Sequence, residues 1–507
     1  MDILLNHENY KCLREIVDCS VEESVETEFS LPEYMPEILR IIKVTAEPKV
    51  NSCRLVGERV TVDGSCDLRV IYTAEDDCIY TFSQKRPFTR HCENTDFTDA
   101  LDVVSRVSVS YVNSRATGTK RVELKAGLNV RIMAYKADVC DLVHSQTGCG
   151  VEEKREPINA MSIGCRKTRQ FSMSDTLTLN VPCAFIISAN AVAVCSDIKK
   201  ISNKIMIRGE AVVDICYVNG SDKSNTYKLK HILPVNQILE FDGMDEKFTG
   251  DVHLCVTALD VMQKNDSDGV CSAFDISLGI DATAVMWEQK ELIAVSDAYA
   301  VGACVELKKE PVIFCKALDE IKDTFILKDS FKVSGEGVSS ICDSVSEILS
   351  CDVKYNNGTL MICGSIGVSV LIKDGSGVLS DVNKVLDYCY ERKDAYAVES
   401  VCCTPHIVIT GTDCAVKDRD NIDIRIEMKI SGCVFHEYKT DVVTNITEGE
   451  LTHKRNINAV TVYFPDGEES LWGIARRYNT TVSAIAAENN IEGDTTGGLK
   501  MIFIPSI

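Results

Sequence analysis

One pattern recurs three times along the chain and limits what it can fold into. Val62-x-Gly64-x-Cys66-x-Leu68-x-Val70-x-Tyr72 returns as Ile207-x-Gly209-x-Ala211-x-Val213-x-Ile215-x-Tyr217. It returns again as Ile362-x-Gly364-x-Ile366-x-Val368-x-Val370-x-Ile372. Strict period-two alternation puts every apolar side chain on one face of an extended strand. The glycine falls at the same step each time, where a bulge or a close backbone approach excludes a side chain. At similar distances downstream comes a second alternating run: Val122 to Ile132, then Ile276 to Ala284, then Ile422 to Ile430. The chain therefore carries three copies of a domain of about 110 residues, a period too long for a solenoid unit.

Shorter alternating runs lie between these pairs, at Val104–Val112, Val252–Leu259 and Pro405–Thr410. Asn219-Gly220, Asn357-Gly358 and Asp374-Gly375 are turn signals, and Asn357-Gly358 sits between Val353-x-Tyr355 and Leu360-x-Ile362 as in a tight hairpin. Many short strands with such turns predict antiparallel sandwiches or barrels. Pro32–Ile42 and Ser344–Leu349 are the two places in the repeats where helix is expected. The expected layout is an N-terminal segment 1–27, β-domains at 28–138, 175–288 and 328–438, connectors at 139–174 and 289–327, a polar linker 439–456, and a C-terminal module 457–507. The first connector contains Glu152-Glu153-Lys154-Arg155-Glu156. Both connectors also hold strand-like pieces able to open the next unit.

Composition narrows the function. A formal charge of −22 argues against a nucleic-acid backbone as partner, which needs clustered Lys and Arg. No apolar run approaches the length of a membrane span, and Met1–His7 lacks the basic start of a signal peptide. The chain is thus expected to stay where it is made. Of the 24 cysteines, no two form a Cys-x-x-Cys pair. Cys66, Cys216, Cys363 and Cys433 sit within alternating apolar runs, where they read as small hydrophobes in a reducing cytosol. Cys140, His144 and Cys149 come nearest to a ligand cluster but lack a fourth member, so no metal is expected. Phosphate-loop, nucleophile-elbow and His-Glu-x-x-His motifs are all missing. The expectation is a non-catalytic protein without cofactor.

The C-terminal stretch has a different grammar. Ala459–Phe464 suits a short strand, and Pro465-Asp466-Gly467 a turn. Leu471, Ile474, Ala475 and Tyr478 share one helical face. Thr480 or Thr481 can cap a second helix with Val482, Ile485 and Ala486 inward, Asn489 and Asn490 end it, and Met501–Ile504 closes as a strand. The predicted order is βααβ.

Those residues resemble the LysM module. Gly467, Ser470, Leu471, Trp472, Ile474, Ala475, Asn489, Ile502, Ile504 and Pro505 match its pattern, while the usual Gly-Asp is lengthened to Gly467-Glu468-Glu469. The resemblance implies a groove between Gly467–Leu471 and Asn489–Gly493, which in most relatives holds N-acetylglucosamine chains. Three β-domains followed by one LysM module resemble the clostridial spore coat morphogenetic proteins built from SPOCS domains, with Leu31-Pro32-Glu33-Tyr34-Met35-Pro36-Glu37-Ile38 opening the first unit. That family implies a scaffold of coat assembly in the mother-cell cytoplasm, at the forespore surface. Its LysM module would dock a SpoIVA-type ATPase, with other coat proteins as further partners and peptidoglycan as the alternative ligand. On this view the binding residues are Gly467, Glu468, Glu469, Ser470, Leu471, Trp472, Arg476, Arg477, Asn489 and Gly493. For the charged residues the competing reading is a solvated helix face. Trp472 either anchors a partner or packs against the fold.

Overall fold

The computed structural model describes residues 3–506 apart from 77, 148–149, 224, 242–246, 334–336, 394–395, 397, 399 and 450–459, and leaves the side chains of 13–14, 137–138, 163–165 and 460 undescribed. Most of it is antiparallel strand. The first copy comprises β1 (Leu4–Ser30), β2 (Arg40–Val56), β3 (Arg59–Thr73), β4 (Ile79–Glu93), β5 (Asp102–Gly118) and β6 (Arg121–Thr147). They form two three-stranded sheets, β1-β6-β5 and β2-β3-β4. The third copy repeats this with β12 (Val305–Lys332), β13 (Val338–Asn356), β14 (Thr359–Asp374), β15 (Leu379–Lys393), β16 (Cys402–Val416) and β17 (Asn421–Glu448), in sheets β12-β17-β16 and β13-β14-β15. The middle copy has β7 (Val151–Ile201), β8 (Lys204–Asn219), β9 (Thr226–Glu240), β10 (Thr249–Asn265) and β11 (Cys271–Ala300). Its long β7 pairs first with β11 and then with β8, so one continuous strand replaces two and joins both sheets. Each copy is a sandwich, and among the described residues no sheet closes into a barrel.

The alternation translates directly into packing. Val122, Leu124, Ala126, Leu128, Val130 and Ile132 on β6 are all fully buried, as are their counterparts on β11 and β17 within a few per cent. Each copy has its own core between its sheets. The repeated glycines are explained by close approach. A Cβ on Gly64, Gly209 or Gly364 would collide with the carbonyl oxygen of Lys49, Val194 or Ser350 on the neighbouring strand. The Asn357-Gly358 turn joins β13 to β14, with both residues at positive φ (50° and 75°), the conformation a two-residue hairpin requires.

Neither helix expected in the repeats forms. Residues 32–39 make turns leading into β2, and Ser344–Leu349 is strand within β13. Ladder pairing with β14 overrides the local helical pattern there, as tertiary context commonly does. The stretches 139–174 and 289–327 are likewise largely strand, supplied by the end of β6, the start of β7, the end of β11 and β12. Glu152–Glu156 lies inside β7, and residues 439–448 continue β17. The rest of the expected linker, 450–456, lies outside the described residues.

These extensions form three two-stranded ribbons: β1 with β6, β7 with β11, β12 with β17. All three ribbons meet in common apolar clusters. One contains Tyr10 and Leu142, Ile158 and Leu292, Phe314 and Val442, and a second gathers Val143, Val295 and Val443. Ile71, Cys216 and Leu371, from the equivalent strands β3, β8 and β14, converge in a third. The copies are therefore three arms around one shared hub. Polar contacts add to it: Ser188 Oγ donates to Asp343 at 2.6 Å, and Lys228 Nζ to the Ser344 carbonyl at 2.7 Å.

Of the cysteines read as small hydrophobes, Cys66 and Cys216 are buried and Cys433 is half-buried. Cys363 departs from that expectation: it faces Cys389 in register across β14 and β15, and the two are joined by a disulfide. His144 Nδ1 donates to the Ile293 carbonyl at 3.1 Å with Glu8 beside it. Cys149 lies outside the described residues. Among the described residues no group of three or more His, Cys, Asp or Glu is placed to hold a metal ion, and no helix is long and apolar enough to cross a membrane.

Candidate docking site in the C-terminal module

The module is built in the predicted order: β18 (Val460–Tyr463), α1 (Leu471–Tyr478), α2 (Val482–Asn489) and β19 (Ile502–Pro505), with β18 antiparallel to β19. Leu471, Ile474, Ala475, Ile485, Ile502 and Ile504 form its buried core. Thr481 caps α2, its hydroxyl accepting from Ala484 N–H at 3.1 Å. Both helices end on asparagines in the left-handed conformation, Asn479 and Asn490, a state Asn tolerates better than most residues.

The Gly467–Leu471 loop is zipped onto the segment just after Gly493. Thr496 N–H donates to the Glu469 carbonyl and Leu471 N–H to the Asp494 carbonyl, both at 2.9 Å, and Ser470 forms a bridge with Thr495. Gly467 and Gly493 are exposed at φ 85° and 119°, open backbone that a side chain would strain. Glu468 is exposed and accepts from the Thr495 hydroxyl at 2.8 Å. Glu469 turns inward along the loop, accepting from the Tyr463 hydroxyl at 2.9 Å and the Asp466 N–H at 2.8 Å. Those hydrogen bonds hold its carboxyl below the usual carboxylate range. Ser470 is exposed, and its side chain makes no cap bond. Leu471 is core.

Three other predicted site residues are engaged in ways the sequence does not announce. The Asn489 carboxamide clamps β19, donating to the Phe503 carbonyl and accepting from Phe503 N–H, both at 2.6 Å, and donates to the Ile485 carbonyl as well. Trp472 and Arg476 face the tip of the β7–β11 ribbon. Asp297 on β11 accepts from Trp472 Nε1 at 3.0 Å and from Arg476 at 2.7 Å. Tyr299 sets its ring edge-on to Trp472, with centroids 4.9 Å apart, and donates its hydroxyl to the Thr480 carbonyl at 2.8 Å. Just past the strand, Gly302 N–H donates to the Asn479 side chain at 3.0 Å. Tyr299 is 6% exposed and belongs to the module's own core cluster; its burial drives the phenol pKa up. Arg477 points elsewhere: it lies over the Tyr463 ring and donates to that hydroxyl at 3.0 Å.

A second feature escaped sequence reasoning. The outer side of the β18–β19 sheet and its flanks carry Val462 (49% exposed), Phe464 (68%), Leu499 (43%), Met501 (43%) and Phe503 (39%). Val462 and Phe503 are direct cross-strand partners. Val462-x-Phe464 and Met501-x-Phe503 are out of phase with the buried Ile502 and Ile504. Strands apolar on both faces were the available signal, since a two-stranded sheet covered by two helices can bury only one. The residues that bind Trp472 and Arg476 gave no such signal, because Asp297 and Tyr299 lie in a different domain's strand.

Residues 37–117 match the family model described as SipL, SPOCS domain, and residues 467–500 match the LysM domain model. No curated protein and no solved structure matches the chain. The first match covers β2 to β5; the third copy repeats that sheet plan, and the middle copy follows it with the single strand β7 in place of two. SPOCS and LysM are binding-type modules, and the pairing fits a sporulation-related protein whose last module is of a peptidoglycan-binding type. In layout, with a SPOCS domain match towards one end and a LysM domain match at the other, the chain is similar to a SipL-like protein.

Proposed function

We propose that the chain is a non-catalytic scaffold of spore coat assembly, acting in the mother-cell cytoplasm at the forespore surface, whose LysM module docks a SpoIVA-type coat ATPase. The observation that carries this reading is the exposed apolar surface of Val462, Phe464, Leu499, Met501 and Phe503. Contiguous apolar surface of this kind marks a site for protein association, and aromatic anchors are favoured there. Several residues expected to form the groove and docking face are already engaged within the chain: Asn489 holds β19, Glu469 holds Tyr463, and Trp472 and Arg476 hold Asp297. The three β-copies, each with its own core and one shared hub, supply rigid surface for other coat proteins.

The test is co-purification of the ATPase with the full chain and with a chain ending at Asn456. Loss of the ATPase with retention of the β-copies' melting transition is the expected result. Phe464→Asp in the full chain should weaken capture by at least tenfold without moving the melt. Undiminished capture by the shortened chain would sink the proposal. The LysM match itself supports the second reading, a peptidoglycan-binding module. Under that reading the full chain sediments with purified peptidoglycan, and Ser470→Ala weakens sedimentation while Phe464→Asp does not.

A further inference from the structure

Each sandwich has a seam where an edge strand of one sheet meets an edge strand of the other. In the first copy that seam is β1 against β4, which approach to within 8 Å between Cα atoms. A run of cross-seam contacts follows it: Arg86 Nε donates to Thr27 Oγ1 at 2.8 Å, Thr27 to Gln84 Oε1 at 3.1 Å, and Arg90 pairs with Glu23 at 3.6 Å. At the far end the contact changes chemistry. Cys19 Sγ and Cys92 Sγ lie 3.5 Å apart. Other copies close the corresponding seam with polar groups. Arg169 on β7 donates to the Ile238 carbonyl of β9 at 2.7 Å, and Arg392 on β15 donates to the Glu320 carbonyl of β12 and pairs with Asp319.

We propose that Cys19 and Cys92 are an oxidative modification site: a thiol pair that closes to a disulfide and staples the two sheets of the first copy. The sulfurs already touch at 3.5 Å across the facing strands, the juxtaposition that a disulfide needs. Cys19 is half-buried and Cys92 buried, so the two have different roles. Cys19 loses its proton and attacks a small-molecule disulfide such as oxidised glutathione, releasing one glutathione thiol and leaving a mixed disulfide. Cys92 loses its proton and displaces the second glutathione. In sum, two protein S–H bonds break, one S–S bond forms, and oxidised glutathione takes both electrons and both protons as two thiols. Burial, the neighbouring Cys92 and Asp18 push the Cys19 thiol up to about 11, so the reaction is slow at neutral pH and accelerates roughly tenfold per pH unit below that value, following the thiolate fraction.

The experiment uses the full reduced chain, incubated with oxidised glutathione at pH 8.5, alkylated, digested and mapped by mass spectrometry. A Cys19–Cys92 cross-linked peptide should appear. The closed loop spans 73 residues, so the oxidised chain should melt higher by about 3–8 °C. Amides of β1 and β4 near the seam should exchange about tenfold more slowly by the same stabilisation. Cys19→Ser and Cys92→Ser should each abolish the cross-link and the shift. Exposed Cys255 reports that the oxidant reached the protein. Because the mapping needs no variant, poor folding of either serine protein leaves it intact. Cys19 and Cys92 still alkylatable while Cys255 is glutathionylated, or glutathione retained on Cys19 with no cross-link, would overturn the proposal.

Discussion

The tips of the three ribbons share one backbone plan and differ in what they hold. In each, the returning strand carries a bulge, at His144, Ser296 and Thr444, just before the tip. The first paired residue beyond it is Ser145, Asp297 or Asn445, and two further on stand Thr147, Tyr299 or Thr447. Of the three positions only the middle tip has the carboxylate and the aromatic ring, and among the described residues it is this tip that holds the LysM module. The repeat thus sets the scaffold, and two side chains distinguish the arm that holds the module. They do so with a carboxylate that serves two donors and a phenol that completes a neighbouring core.

The largest expected effect comes from removing the ring. Tyr299→Ala takes out a buried aromatic of the module's core, its edge-on contact and its hydroxyl bond, and should weaken docking by about 3–5 kcal/mol. Faster hydrogen exchange across α1, with β8 and β14 unchanged, would be the readout; uniform exchange across the chain would show the module does not depend on that arm.

Acid should act on the scaffold side of the comparison. His253 and His406, at equivalent positions on β10 and β16, pack with their rings tilted at 53° and centroids 4.5 Å apart, and Arg106 occupies the same place on β5. Burial, His253 and Arg106 hold His406 down at about 4; His253 is also lowered by burial, partly offset by Asp251 at 3.2 Å. A neutral histidine in the fold that charges when unfolded contributes stability above pH 6.5, and that contribution is lost as pH falls from there towards 4. The copies should lose about 1–3 kcal/mol over that window. His406→Gln should flatten the melting temperature against pH, and an unchanged profile would argue against histidine at this junction.

Asp297→Asn separates charge from hydrogen bonding at the tip. The amide oxygen still accepts from Trp472, while the Arg476 ion pair goes, so a loss of about 1 kcal/mol is expected. That loss should shrink in high salt. Smallest is the transplant. Ser145→Asp with Thr147→Tyr gives the first tip the two missing groups on an exposed edge, and a melt shift within about 0.5 kcal/mol is expected. Cross-linking should still find the module on the middle arm, which keeps Asp297, Tyr299 and the bond from Gly302 N–H to Asn479.

Much of this was readable in the residues. Alternation at Val62–Tyr72 and Val122–Ile132 gives strands and their inward faces, because a two-residue period admits one buried side. The glycines at 64, 209 and 364 announce close backbone approach. Leu471, Ile474, Thr481 and Asn490 give the module's helices and their ends from local chemistry alone. Ser344–Leu349 was misread as helix because short runs fit both periods, and ladder pairing with β14 settled it.

The primary sequence by itself determined which face of each strand is apolar, that the unit occurs three times, and that a βααβ module follows. Tertiary structure decided that β7 runs unbroken through two sheets, that the three arms share a hub, and that Trp472 and Arg476 turn to Asp297 and Tyr299. The physical reason is range. Periodicity and capping are fixed by neighbours a few residues away, whereas a contact between residues 297 and 476 depends on how whole sheets are stacked, and nothing in the local pattern of either residue encodes it.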